Sequence, residues 1–181
     1  CQRVGLDERF SVLDRGDAAD LLDVVRHELG YSKVDGESAK RFPRKDTCLA
    51  IYSRTVNARA ALEAVLDEAY PWCREHAGAL RGLFAAYVEE KLRRHVLDYD
   101  DLLLYWHGMM GDARLAQHVG AHFDHILVDE YQDTNRLQGD VVDLMASHHR
   151  NLCVAGDDAQ SIYSFRGAHF ANILEFEKRY P

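Results

Sequence analysis

Two short apolar runs, each closed by acidic residues, constrain this chain more than any other feature. His125-Ile126-Leu127-Val128 stops at Asp129-Glu130, and Leu152-Cys153-Val154-Ala155 stops at Gly156-Asp157. Runs of this length that end abruptly in carboxylates predict strands buried on both faces. Between them, Asn135 to Ser147 has helical spacing at Leu137, Val141, Leu144 and Met145. A strand, a helix and a second strand with short links predict a crossover and a parallel sheet. Two strands do not make a stable open sheet alone, so further strands are expected outside this chain.

Upstream the pattern is helical. Ala18, Leu21, Leu22, Val25 and Leu29 mark one face of a helix over Asp17–Leu29, with Gly30 as its stop. Ser32 to Asp46, holding Gly36 and Pro43, reads as a loop. A helix is expected from near Thr47 to Tyr70, with a break, and another from Pro71 that buries Leu80, Leu83, Phe84, Tyr87 and Leu92. A further helix carries Leu102, Leu103, Trp106 and Met110, and the tail from Ala168 to Tyr180 is helical again. The fold class is therefore α/β and helix-rich, a piece of parallel sheet joined to a mainly α-helical subdomain.

Composition narrows the function. The 181 residues carry a net charge of −8, which argues against a domain held on nucleic acid by bulk charge but not against a local basic stripe. One such stripe exists: Lys40, Arg41, Arg44, Lys45, Arg54 and Arg59 face only Asp46 between residues 38 and 59. It reads as a solvated face or as a phosphate-contacting surface. No apolar run approaches the ~20 residues of a membrane span. Cys1, Cys48, Cys73 and Cys153 form no C-x-x-C pair, so free thiols in a reducing cytoplasm are expected. His118, His122 and His125 have spacing that could collect a metal on one helix, but His125 opens the strand and no acid or cysteine completes the set. Asp98, Asp100 and Asp101 at the head of a helix read as capping acids.

Ligands of parallel α/β sheets sit beyond the carboxyl ends of the strands, which puts Asp129, Glu130 and Asp157 where a ligand would be. An Asp there can hold Mg²⁺ through retained waters, and an adjacent Glu can deprotonate an attacking water. Taken alone, such acids simply begin solvent loops in many chains. Here their context is longer: residues 126–133 read ILVDEYQD and residues 154–168 read VAGDDAQSIYSFRGA. Together these resemble motifs II and III of the UvrD/Rep family of superfamily 1 DNA helicases. TNRLQGDVVDLM, NILEFEKRYP, LDYDDLLLYW (97–106) and FSVLDRGDAADLL (10–22) are similar to the same family.

The resemblance implies a RecA-like P-loop NTPase sheet, ATP and Mg²⁺ as cofactors, and single-stranded and duplex DNA as partners. Residues 1–97 would be the helical insertion of the first motor domain, and 98–181 the C-terminal part of its ATPase domain. Asp129 matches the aspartate that binds the Mg²⁺ of MgATP, and Glu130 the base for the attacking water. Gln160 matches the glutamine that contacts the γ-phosphate. Tyr163 and Phe165 match aromatic positions that stack on bases; read alone they are stacking or core residues. Arg166 matches the arginine linking this loop to nucleic acid and nucleotide. In the basic stripe, Arg41, Arg44 and Lys45 are candidates for duplex contact. The sequence departs from the commonest pattern at Ala159, Phe165 and His169, which bears on fine DNA contacts.

No Gly-Lys dipeptide occurs, so the chain holds no G-x-x-x-x-G-K-[ST] loop. The start CQRVGLDERF has neither Met nor the order of a signal peptide. The expectation is a helicase fragment, inactive alone, whose parent is a cytoplasmic ATP-dependent motor of DNA repair or replication working with its remaining helicase domains. The competing expectations are a DNA-binding or protein-interaction module without ATP turnover, and part of a nuclease-helicase.

Overall fold

The computed structural model describes residues 9–31, 41–157, 175, 176 and 178–180. Gln160, Tyr163, Phe165 and Arg166, as well as Lys40 and most of the tail helix expected from Ala168, lie outside the described residues. The chain divides into two compact units, residues 1–56 with 60–102 and residues 57–59 with 103–181.

The first unit is helical. After a two-residue strand β1 (Ser11–Val12), helix α1 (Arg15–Glu28) starts where the Asp14 carboxylate accepts the Asp17 N–H at 2.9 Å. That bond satisfies one of the four N–H groups a helix start leaves unpaired. Gly30, at φ 79°, takes the left-handed conformation just past the end, as expected. Helix α2 (Lys45–Ala58) breaks at Arg59, φ 51°, and α3 (Leu62–Ala69) follows, so the expected break is present. Pro71 opens a 3₁₀ turn, Pro71–His76, which feeds α4 (Ala77–Arg94).

The core of this unit gathers Leu22, Ile51, Leu66, Leu80, Leu83 and Tyr87, all fully buried. Each such side chain contributes about 1.5–3 kcal/mol of transfer free energy. The expected burial of Leu92 does not occur; it is 49% exposed, and Lys91 is buried in its place at 1%. The reason is electrostatic. Lys91 Nζ meets Asp98 at 2.7 Å and Asp101 at 2.6 Å, both beneath the surface. Tyr87 donates its hydroxyl to Asp98 at 2.9 Å, and the Lys91 ammonium sits 4.4 Å from the Tyr87 ring centroid. Burial pushes the Asp101 carboxyl up against the pull of Lys91.

Helix α4 stops at His95, φ 54°, and a second short strand β2 (Val96–Leu97) pairs in parallel with β1. These two-residue strands were not expected. Helix α5 (Tyr99–Met110) begins on a reciprocal cap: Asp101 N–H donates to Asp98 and Asp98 N–H donates to Asp101, at 2.9 and 3.0 Å. Asp98 and Asp101 are thus the capping acids expected of them.

In the second unit a further helix, α6 (Ala113–Gly120), starts on an Asp112 cap. It precedes β3 (Ile126–Val128), α7 (Arg136–Ala146) and β4 (Leu152–Val154). β3 and β4 are parallel neighbours, with Ile126, Leu127 and Val128 opposite Leu152, Cys153 and Val154. The expected strand–helix–strand unit is thus present. Its strands are not buried on both faces as expected: Leu127 is 77% exposed, and Cys153, its partner in register, is exposed too. Helix α7 packs Leu137 and Val141 inward. Its start is a capping box of Asn135 and Gln138, reinforced by the Asn135 amide donating to Asn57 at 2.9 Å. Arg59 pairs with Asp140 at 2.5 Å. Trp106 is 43% exposed, while Met110 is buried as the helical spacing requires.

Cys48 and Cys73 are buried and Cys153 is exposed, all as free thiols; burial pushes Cys48 up to about 12. No helix among the described residues is long and apolar enough to cross a membrane.

Candidate active site at the carboxyl ends of the strands

The parallel register of β3 and β4 delivers the chain following Val128 and Val154 to the same end of the sheet. Two backbone bonds extend that alignment beyond the strands: Ala155 N–H donates to Val128 O at 2.8 Å and Tyr131 N–H to Ala155 O at 3.0 Å. Asp129, Glu130 and Asp157 are consequently gathered at one edge, all exposed to solvent. This is the position at which parallel α/β sheets bind ligands.

The backbone turns sharply here. Glu130 takes a left-handed conformation, φ 51° and ψ 43°, which is uncommon for a residue with a Cβ and costs about 1 kcal/mol. Asp129 steadies the turn by accepting the Glu130 N–H on Oδ1 at 2.9 Å. A 3₁₀ turn, Tyr131–Asp133, follows. Tyr131 is fully buried beneath it, its ring edge-on to Phe176 at 5.7 Å and its hydroxyl accepting from Arg179 at 3.1 Å. Burial raises the Tyr131 hydroxyl above its ordinary range. Arg179 also pairs with Asp143 of α7, so the tail is tied to both the turn and the helix.

Gln132 is a site residue that sequence reasoning misses. Its side chain is 1% exposed and spans the site: Nε2–H donates to Glu130 Oε2 at 2.6 Å, and Oε1 accepts the Asp157 N–H at 3.0 Å. It stands within the ILVDEYQD stretch, but the spacing does not show its role, because one partner lies 25 residues downstream, on the segment that follows β4.

Chemically, the edge offers one carboxylate suited to a hard cation and a second, held by an amide, suited to accepting a proton. A single aspartate at a strand end fits Mg²⁺, which keeps most of its waters and needs few protein ligands. Among the described residues no group of three metal-capable side chains is gathered. His118 and His122 stack edge-on at 4.9 Å on and just past α6, and His125 is exposed ahead of β3.

The basic stripe, in the first unit up to Arg54, is partly committed to internal pairs. Lys45 pairs with Asp20 and Arg54 with Glu68 at 3.2 Å, whereas Arg41 and Arg44 are exposed.

The helical unit and the parallel strand pair with acids at its carboxyl end make this a helix-rich α/β protein. The family model for the UvrD/REP helicase N-terminal domain matches residues 1–181, and the chain belongs to that family. It is 33% identical over 181 residues to the ATP-dependent DNA helicase PcrA of Staphylococcus aureus, strain Mu50. It is 34% identical over 180 residues to the PcrA helicase of Staphylococcus epidermidis, strain ATCC 12228. Each alignment covers 99% of this chain and 23% of the relative, so the chain spans about a quarter of the length of those proteins.

Proposed function

We propose that this chain is the part of an ATP-dependent DNA helicase that carries the hydrolytic carboxylates, with residues 1–97 as helical insertion and 98–181 as the C-terminal part of the ATPase domain. The observation that carries the proposal is the convergence of Asp129, Glu130 and Asp157 at the carboxyl end of β3 and β4. Membership of a family whose relatives are named ATP-dependent DNA helicases supports it.

Asp129 would hold the Mg²⁺ that accompanies ATP. That ion, when bound, neutralises charge on the phosphates. Glu130 accepts the proton of a water whose oxygen bonds to the γ-phosphorus while the bond to the β–γ bridging oxygen breaks. ADP and inorganic phosphate result, and the proton leaves Glu130 to the phosphate or to solvent. Gln160 contacts the γ-phosphate, and Arg166 links nucleotide to DNA. Tyr163 and Phe165 stack on bases of single-stranded DNA, a contact indifferent to sequence and suited to a translocating motor. Arg41, Arg44 and Lys45 contact duplex phosphates. The parent works in DNA repair or replication in the cytoplasm.

The test is Glu130→Gln in the full-length protein. DNA-stimulated ATP hydrolysis is expected to fall ~10²–10⁴-fold, the usual worth of a positioned base, with nucleotide affinity retained. Undiminished hydrolysis would overturn the assignment. The isolated 181-residue chain, lacking a Gly-Lys phosphate loop, is expected to show no turnover.

A further inference from the structure

We propose that Gln132 is a positioning residue that sets the orientation of the Glu130 carboxylate and ties it to the end of β4. The inference rests on the reading of Glu130 as the base for the attacking water.

Three observations lead to it. Gln132 is polar yet 1% exposed, and both ends of its amide are used. A buried amide is retained at little cost only when satisfied, and here each hydrogen bond goes to the site. Nε2–H holds Glu130 Oε2 at 2.6 Å, leaving Oε1 as the oxygen to receive a proton. Oε1 of the amide accepts Asp157 N–H at 3.0 Å, a backbone group on the segment leaving the neighbouring strand.

The third observation is the left-handed Glu130 backbone, φ 51°. At this turn Glu130 is exposed, and a carboxylate with three rotatable bonds there would sample several directions. The Gln132 bond selects one of them. Because the same amide grips Asp157, a displacement of the chain leaving β4 is transmitted to the carboxylate through a single planar group. Glu130 and Asp157 thereby move together, although neither side chain bonds the other through this amide.

The experiment uses the full-length protein with Gln132→Met, which keeps length and loses both bonds, and Gln132→Glu. The latter keeps an acceptor for Asp157 N–H but replaces the donor to Glu130 with a second carboxylate. ATP turnover, KM for ATP, equilibrium binding of a fluorescent ATP analogue and thermal melting are measured for each. Both variants are expected to lose about tenfold or more in kcat, a part of what a positioned base supplies, with KM and nucleotide affinity within about twofold of wild type. In a Glu130→Gln background, Gln132→Met should bring no further loss, since its effect passes through Glu130.

Unchanged kcat in folded Gln132→Met and Gln132→Glu overturns the proposal. So does a fall in kcat matched by equal losses of nucleotide affinity and melting temperature, which would mark Gln132 as packing only. If Gln132→Met fails to fold, Gln132→Glu alone decides. Glu130→Gln separates the two readings: full turnover there removes Glu130 as the base, while inactivity with normal Gln132 variants removes only the positioning role.

Discussion

Lys91 and Asp98 lie 2.7 Å apart with side chains 2% and 6% exposed, an ion pair sealed inside the helical unit. Asp101, 2.6 Å from the same ammonium, the Tyr52 hydroxyl that accepts from it at 3.3 Å and the Tyr87 hydroxyl on Asp98 surround the pair. Taking charges out of water is costly, and the cost is met only while every partner is present.

Lys91→Met should therefore leave two buried carboxylates unmatched and destabilise the protein by about 3–5 kcal/mol, read by urea unfolding with hydrogen exchange localising the loss to α4. The deficit should narrow on acidification. A carboxyl raised in the folded state, as Asp101 already is by burial, takes up its proton before the unfolded chain does, so lowering the pH favours the folded form. A deficit that widens toward acid would contradict this origin.

Asn135→Ala should cost about 1 kcal/mol, the usual worth of an N-cap, plus part of its bond to Asn57. Gln138→Ala removes the other half of the box and should cost less than the cap itself. Equal melting temperatures for wild type and both variants would show that the box adds nothing to the stability of α7.

Arg41→Ala with Arg44→Ala in the full-length protein should lower duplex affinity and flatten its salt slope by roughly one unit for each phosphate no longer neutralised. Lys45→Ala should do less, because its ammonium already pairs with Asp20. An unchanged slope in binding titrations returns the stripe to a solvated surface.

Phe165→Ala should remove about 1–3 kcal/mol of base stacking, weakening single-strand binding and DNA stimulation while basal ATP hydrolysis survives. A core phenylalanine would instead cost ~3–5 kcal/mol of stability. Thermal melts set beside single-strand affinity separate the two.

The sequence makes some of these features readable and conceals others for definite reasons. Asp129 and Glu130 stand out because an apolar run ends on them, and α1, α4 and α7 because their apolar residues repeat with helical spacing. β1 and β2 escape because two residues carry no periodicity. Lys91 is missed because a cation amid apolar residues reads as exposed; its acids lie seven and ten residues on, past the left-handed turn at His95. The role of Gln132 escapes for a similar reason, since its second partner, Asp157, lies on the segment that follows β4. Leu127 is expected to be buried because its run is apolar; the described residues supply no layer over that face.

The pairing of β1 with β2 sets Ser11 beside Val96 and Val12 beside Leu97. Everything between them leaves from one strand and comes back on its immediate neighbour. A stretch with adjacent ends behaves as a cassette: it can lengthen, shrink or be exchanged between proteins without altering the distance its flanking chain must bridge. Variation in length among related chains should accordingly concentrate between these two strands, while the span from β3 to β4, whose register aligns the acids, should keep its length.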